Sequence, residues 1–428
     1  MFWTISEMTE TSKSTTLVRS TLALMLSTGG TSAMGILFWG LATRLFTVSA
    51  VGRASAEISA MTLIANVAQL NLSSAFVRFL PRAGSRTRFA LVASYSACSG
   101  LAIAGSMLFL NTSLRNGIVP PGLAMKAFFT ASVVFWTIFV IQDAALIALR
   151  NSKWVPVENI SFGLAKLILL PLLVATPLAE GVFLAWTLPM VAAVVGVNLL
   201  LFLVLVPRAM ARQSNVDMQE YFHPRVLASF VTAEYLSSLV GTSATFLMPL
   251  VIIKGLGATA EGYFYLPWLI DTSFSALLWN ITAPLIVEVS HDPTALPELL
   301  RRSLRLMMIL VLPSFIVVVA AAPWLLGILS HRYSAQGATL LRLIGLSFPF
   351  SAVMSLAIAS LWIRMRVWLL FSIRTLRSAG LIVVSIMLMD RYRLAAVGWA
   401  NLAVLAILAL VTLPIALRWY RSSGMSKA

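Results

Sequence analysis

Charge is what this sequence has least of. Only 11% of its 428 residues are Asp, Glu, Lys or Arg, against about 25% in an ordinary soluble domain. So few ionic groups cannot coat a water-facing globule, which excludes a soluble protein of this length. Cysteine is scarcer still: Cys98 stands alone, so no intramolecular disulfide can form. His223, His291 and His331 are scattered and have no cysteine beside them, which argues against a His/Cys metal site. The P-loop signature, HExxH and GxSxG are all missing, so the chain lacks the common signatures of nucleotide, zinc-protease and serine-hydrolase chemistry. Acidic groups number 15 against 31 basic ones, 25 of them Arg, giving a formal net charge of +16. Beside a membrane, that excess suits anionic head groups or an anionic lipid-linked substrate better than DNA, and no nucleic-acid partner is expected.

What the chain does have is apolar sequence: 59% of residues are hydrophobic, and the mean hydropathy is +0.92. Residues 1–16 are polar and mixed in charge, without the zones of a signal peptide. Windows of about 20 apolar residues predict twelve spans. They lie near 20–43, 54–77, 89–110, 127–149, 158–176, 181–206, 225–253, 263–289, 306–329, 341–363, 367–389 and 395–417. The fold class is therefore an all-α polytopic membrane protein. If the N-terminus is cytoplasmic, the inner segments carry about twice as many Arg and Lys as the outer ones, so both termini are expected inside.

The segment Arg44 to Ile58, after the first span, resembles Ile253 to Trp268, after the seventh. In each, a basic residue and a short polar turn lead to a glycine that opens the next helix. Those glycines, Gly52 and Gly262, stand 210 residues apart, about half the chain. This pattern predicts a parallel repeat of six plus six spans: an N-terminal lobe over 1–206, a cytoplasmic linker over 207–224 and a C-terminal lobe over 225–428. Chance resemblance between two short polar loops is the alternative.

Three cations fall at mid-membrane depth: Lys166 in the fifth span, and Arg374 and Arg377 one turn apart in the eleventh. A basic side chain at a helix centre costs at least about 2.5–3.5 kcal/mol, so each should face a partner or a wet cavity. One reading makes all three substrate-binding. The other neutralises Lys166 with Asp143, and the Arg pair with Glu234 or Asp271. The second span carries Ser55, Ser59, Thr62, Asn66, Gln69 and Ser73 at alternating steps of four and three, which keeps them on one helix face. Such a stripe serves either helix packing or a path for a polar cargo. Asp143, Glu234 and Asp271 are candidates for binding a coupling proton or sodium ion, with salt-bridge duty as the default. No cofactor or metal is expected. Prolines at 171, 189, 249, 267, 284, 313, 349 and 414 lie inside spans, as suits helices that kink and rock.

The run Phe38 to Pro81 resembles the first two helices of bacterial polysaccharide (O-unit, Wzx-type) flippases of the multidrug/oligosaccharidyl-lipid/polysaccharide (MOP) exporter superfamily. Gln142 to Lys166 resembles their fourth and fifth helices, and Leu256 to Tyr265 with Asn280 to Asp292 the start of their second lobe. The resemblance implies two six-helix bundles forming a V around a central cavity and working by alternating access in the bacterial inner membrane. It also implies a polyprenyl-diphosphate-linked oligosaccharide as cargo, and glycan polymerases or ligases as partners. On that basis Lys166, Arg374 and Arg377 would hold the diphosphate, and Ser59, Thr62, Asn66, Gln69 and Ser73 would face the sugars. An ion-coupled drug or metabolite antiporter shares the fold and is the alternative. A membrane enzyme of glycan assembly is a weaker one, because the outer connection Asn111 to Lys126 contains no carboxylate.

Overall fold

The computed structural model describes residues 30–174, 180–212, 224–364 and 366–422. Every regular element among them is a helix, as hydrocarbon requires of a spanning chain that must satisfy its own backbone groups. Ten of these helices are long and apolar enough to cross a bilayer, and they match the third to twelfth expected spans. This is a multi-pass helical membrane protein. The first expected span appears as α1, helical over residues 30–45. The second is split. Helix α2 (Val48–Ala68) stops where Leu70 and Asn71 take left-handed backbone angles, and α3 (Leu72–Phe79) continues after the turn. The expected linker at 207–224 begins in a short helix, Val206–Arg212, and then leaves the described residues.

Packing divides the chain into two compact units. One runs from Met34 to Gly262; the other holds Tyr263–Ala428 together with residues up to Ala33. In the first unit, α5 (Leu123–Ala148) packs on α2, α3, α4 (Thr87–Asn111) and α7 (Gly181–Leu200), while α6 (Trp154–Val174) lies against α7. Helix α9 (Pro224–Leu256; the Val206–Arg212 helix counts as α8) packs on α2. Leu91, Cys98, Ile141, Ala145, Leu146 and Leu201 form one of its apolar cores, and the single thiol is closed off inside it. In the second unit, α12 (His331–Ile363) is held between α11 (Leu296–Gly327) and α14 (Ala395–Ser422), with α13 (Val367–Tyr392) against α14. Helix α10 (Ala258–His291) joins it by stacking Phe274 on Phe348. Leu108, Leu203, Ile309, Leu376 and Met387 stay largely exposed on outward faces, as expected of side chains that meet lipid rather than water.

One helix crossing in the first unit is made by backbone. A Cβ at Gly52 would lie 1.9 Å from the carbonyl oxygen of Ala258, and a Cβ at Gly262 would lie 2.3 Å from that of Val48. The contact is reciprocal: positions 48 and 258, like 52 and 262, are related by the offset noted in the sequence. Close approach of this kind is what small residues permit between membrane helices. Ser55 adds a hydrogen bond of 3.0 Å to Glu261 beside it. We expect Gly52→Ala to destabilise the purified protein by about 1–3 kcal/mol, the range for forced overpacking. Gly100→Ala, whose added carbon meets nothing within 4 Å, should leave the thermal midpoint unchanged.

Candidate functional site

Helix α6 turns a single face inward, carrying Glu158, Phe162, Gly163, Lys166 and Leu170. Four-residue steps along a helix put Glu158, Phe162, Lys166 and Leu170 in one stripe, so an acid and a base share the buried face. Lys166 is only 5% exposed. Its ammonium sits 3.9 Å from the centre of the Trp186 ring on α7, 4.8 Å from Phe162 and 5.3 Å from Phe38 on α1. Trp136 and Phe139 of α5 extend the aromatic wall behind them. Among the described residues Lys166 forms no ion pair. The pairing with Asp143 weighed from sequence is not made, because Asp143 is engaged with Glu158 instead. An ammonium over desolvated rings gains about 2 kcal/mol, somewhat less than its burial costs in a membrane helix.

In the other unit the cation is answered by an acid. Arg377 on α13 interacts electrostatically with Asp271 on α10, which is buried and hydrogen-bonded to Asn401 of α14. The Asn401 amide donates in turn to the Ser347 hydroxyl of α12 at 3.1 Å. Four helices are thus tied by one polar chain. Arg374, one turn before Arg377, is half-buried.

The α2 stripe divides by depth. Ser55, Ser59 and Thr62 are buried, whereas Asn66, Gln69 and Ser73 are half-buried; Ser73 stands on α3, past the left-handed turn at Leu70 and Asn71, so the single helix face expected from spacing ends before it. Several of its groups bond along the helix: Thr62 to the Ile58 carbonyl, Asn66 to the Thr62 carbonyl, and the Gln69 amide to the Asn66 side chain. Gln69 Oε1 and Ser73 Oγ are left without a partner. Tyr235 of α9 donates to the Val67 carbonyl at 2.8 Å. Glu234 lies on α9, but its side chain is outside the described residues.

Two groupings were not singled out from the sequence. The aromatic box needs Phe38, Phe162 and Trp186 from three helices, and only the Phe162–Lys166 spacing was readable along the chain. The second is a polar cluster where α5 turns into α6. Here the Asp143 and Glu158 carboxyls lie within hydrogen-bond reach of each other. Gln142 donates to Glu158 Oε1, and Asn198 of α7 donates to Gln142 Oε1 at 2.6 Å.

Replacing Lys166 with Met should raise the thermal midpoint by a few degrees, about 1 kcal/mol, since the burial cost is removed along with the weaker ring attraction. Trp186→Ala should lower stability by about 3–5 kcal/mol, as for a large aromatic truncated in a core. Thermal unfolding of the purified variants checks both. A Lys166→Met protein less stable than the parent would show that the cation supports the fold.

The sequence matches no known family profile and no curated protein. Its fold, however, is shared along its length with solved transporters. A structure described as the lipid II flippase MurJ in an inward closed conformation aligns with a TM-score of 0.70 at 12% identity, covering 94% of this chain and 90% of that one. A MATE protein solved in complex with MaL6 aligns at 0.64 with 14% identity, covering 97% and 98%. A MOP superfamily transporter from Pyrococcus furiosus aligns at 0.61 with 12% identity, covering 96% and 97%. All three are described as transporters, a flippase or a MATE protein, and none as an enzyme.

Proposed function

We propose that this protein is a flippase. It moves a polyprenyl-diphosphate-linked oligosaccharide from the inner to the outer leaflet of the bacterial cytoplasmic membrane by alternating access, for cell-surface polysaccharide assembly. The observation that carries the reading is Lys166: a buried ammonium at mid-span with aromatic rings around it and, among the described residues, no carboxylate to neutralise it. A charge kept at such cost in a membrane helix is a functional group by default, and its missing counter-ion is an anion brought from outside. A diphosphate is such an anion. Fold likeness to a lipid II flippase and to MATE transporters supports a transporter of this general class.

In this reading Lys166, Arg377 and Arg374 attract the diphosphate at successive stages, and Asp271 holds Arg377 until the cargo displaces it. The polar stripe over α2 and the start of α3, Ser59, Thr62, Asn66, Gln69 and Ser73, faces the sugars, with the unpartnered oxygens of Gln69 and Ser73 as the first to bond them. The chain works as two sequential halves, 1–206 and 225–428, joined by a cytoplasmic linker at 207–224, with both termini inside. Asp143, Glu234 or Asp271 carries a coupling ion. Membrane lipids surround it, and glycan polymerases or ligases receive its product.

Depleting the protein in its host should make a polyprenyl-diphosphate glycan accumulate in the inner leaflet, measured by mass spectrometry of extracted lipids with leaflet-selective labelling. Lys166→Ala and Arg377→Ala, inserted at normal levels, should reproduce that accumulation, with transport reduced about 10–100-fold for each lost charge-assisted contact. Full transport by both variants would end the clamp reading. An unchanged lipid pool, with binding of small organic cations instead, would turn the assignment to an antiporter. Truncated glycans would turn it to an assembly enzyme.

A further inference from the structure

Asp143 and Glu158 lie just over one helical turn from the α5–α6 connection, one on each side of it. Glu158 is 5% exposed and Asp143 half-buried. Neither forms an ion pair among the described residues. Each carboxyl already takes one amide: Gln142 donates to Glu158 and Asn159 to Asp143. Each keeps one buried oxygen with no hydrogen-bond donor, Asp143 Oδ1 and Glu158 Oε2.

The elements packed on α5 and α6 bring little to answer those oxygens. Helix α4 contributes Tyr95, which interacts electrostatically with both acids and whose hydroxyl is also unpartnered. Helix α7 contributes Asn198, whose amide is spent on Gln142 and on the Val194 carbonyl. Helix α2 contributes no charged group at this depth. Helix α3 and the turn after it carry Arg78 and Arg82, whose side chains lie outside the described residues.

Two ionised carboxylates cannot hydrogen-bond to each other, since neither has a donor. Side by side and out of water, they also repel. A single proton removes both difficulties: it turns one acid into a donor to the other and leaves the pair with one negative charge. A metal cation fits less well, because the amides of Gln142 and Asn159 present N–H groups where oxygen ligands would be needed.

We infer that Asp143 and Glu158 form a proton-binding site in which one proton is shared between the two carboxyl groups, and that loading and unloading this site couples transport to the proton gradient. The coupling rests on the transport reading above; the proton site does not. The step is simple in its balance: a proton enters from water on one side, bridges the two oxygens, and leaves to water on the other. Tyr95, which interacts electrostatically with both acids and has an unpartnered hydroxyl, is a candidate relay for it.

Infrared difference spectroscopy on the full-length protein in lipid vesicles tests the site without any cargo. Between about pH 5 and pH 9, the parent should show a protonated carboxyl band that shifts in heavy water. The band should vanish in both Asp143→Asn and Glu158→Gln, yet persist in Asp271→Asn. Either amide keeps an acceptor oxygen for its neighbour, so if one variant fails to assemble the other still decides the matter. A band left intact by both substitutions would overturn the shared proton. Loss of the band on adding sodium chloride at fixed pH would overturn it equally, by making the ligand a sodium ion.

Coupling is read separately in vesicles with an imposed pH gradient and extracted lipid-linked oligosaccharide as the probe. Glu158→Gln should lose gradient stimulation by at least about 10-fold while slow downhill movement continues. Unaltered stimulation in that variant would refute the coupling. No movement in the parent at any gradient would refute the transport reading, and leave the infrared result to stand on its own.

Discussion

Backbone polar groups that lie within the bilayer must find their partners inside the protein, because hydrocarbon offers none. That constraint shapes the whole chain. It makes every regular element described a helix. It explains why hydroxyls such as Ser106, Thr137 and Thr187 bond back to carbonyls one turn earlier. It also makes each buried ion informative, since every one must be either answered nearby or held for something that arrives.

Two of the three mid-span cations, Arg377 and Lys166, meet the constraint in different ways. Arg377 is answered by a carboxylate that is itself held by Asn401 and Ser347. Planar and always charged, a guanidinium suits such a pairing. Among the described residues Lys166 is answered by ring faces alone, with Trp186 the nearest. A ring quadrupole attracts a cation without neutralising it, so the charge stays available to an anion. Three acids of the same unit are engaged elsewhere: Glu158 with Gln142 and Asp143, and Glu261 with Ser55. Attraction and charge are thereby kept apart on one helix face, Glu158 at one end and Lys166 two turns along.

The Gly52–Gly262 crossing serves a different need. Backbones that touch at carbonyl distance gain dispersion along the contact and leave no room for side chains. Its reciprocity follows from using like segments against like: each glycine meets the carbonyl four residues before the other. Ser55 and Glu261 then place one polar bond beside an otherwise apolar contact.

The fold class and the positions of the third to twelfth spans were determined by the sequence alone, because apolar length against bilayer thickness is a local property of the chain. So was the common face of Ser55, Ser59, Thr62 and Asn66, since helical pitch converts spacing into direction; Ser73 falls on α3, beyond the left-handed turn at Leu70 and Asn71. What surrounds those residues was decided only in three dimensions. Hydropathy carries no record of which helix packs on which, so it could not say that Lys166 would meet Phe38 and Trp186 rather than Asp143. Nor could it show that the lower α2 stripe is half-buried while its upper half is packed away. Asp143 and Glu158 are each ordinary edge-of-span acids until α5 folds back on α6. Their shared proton is a property of that meeting, and the chain written out in order holds only its two halves.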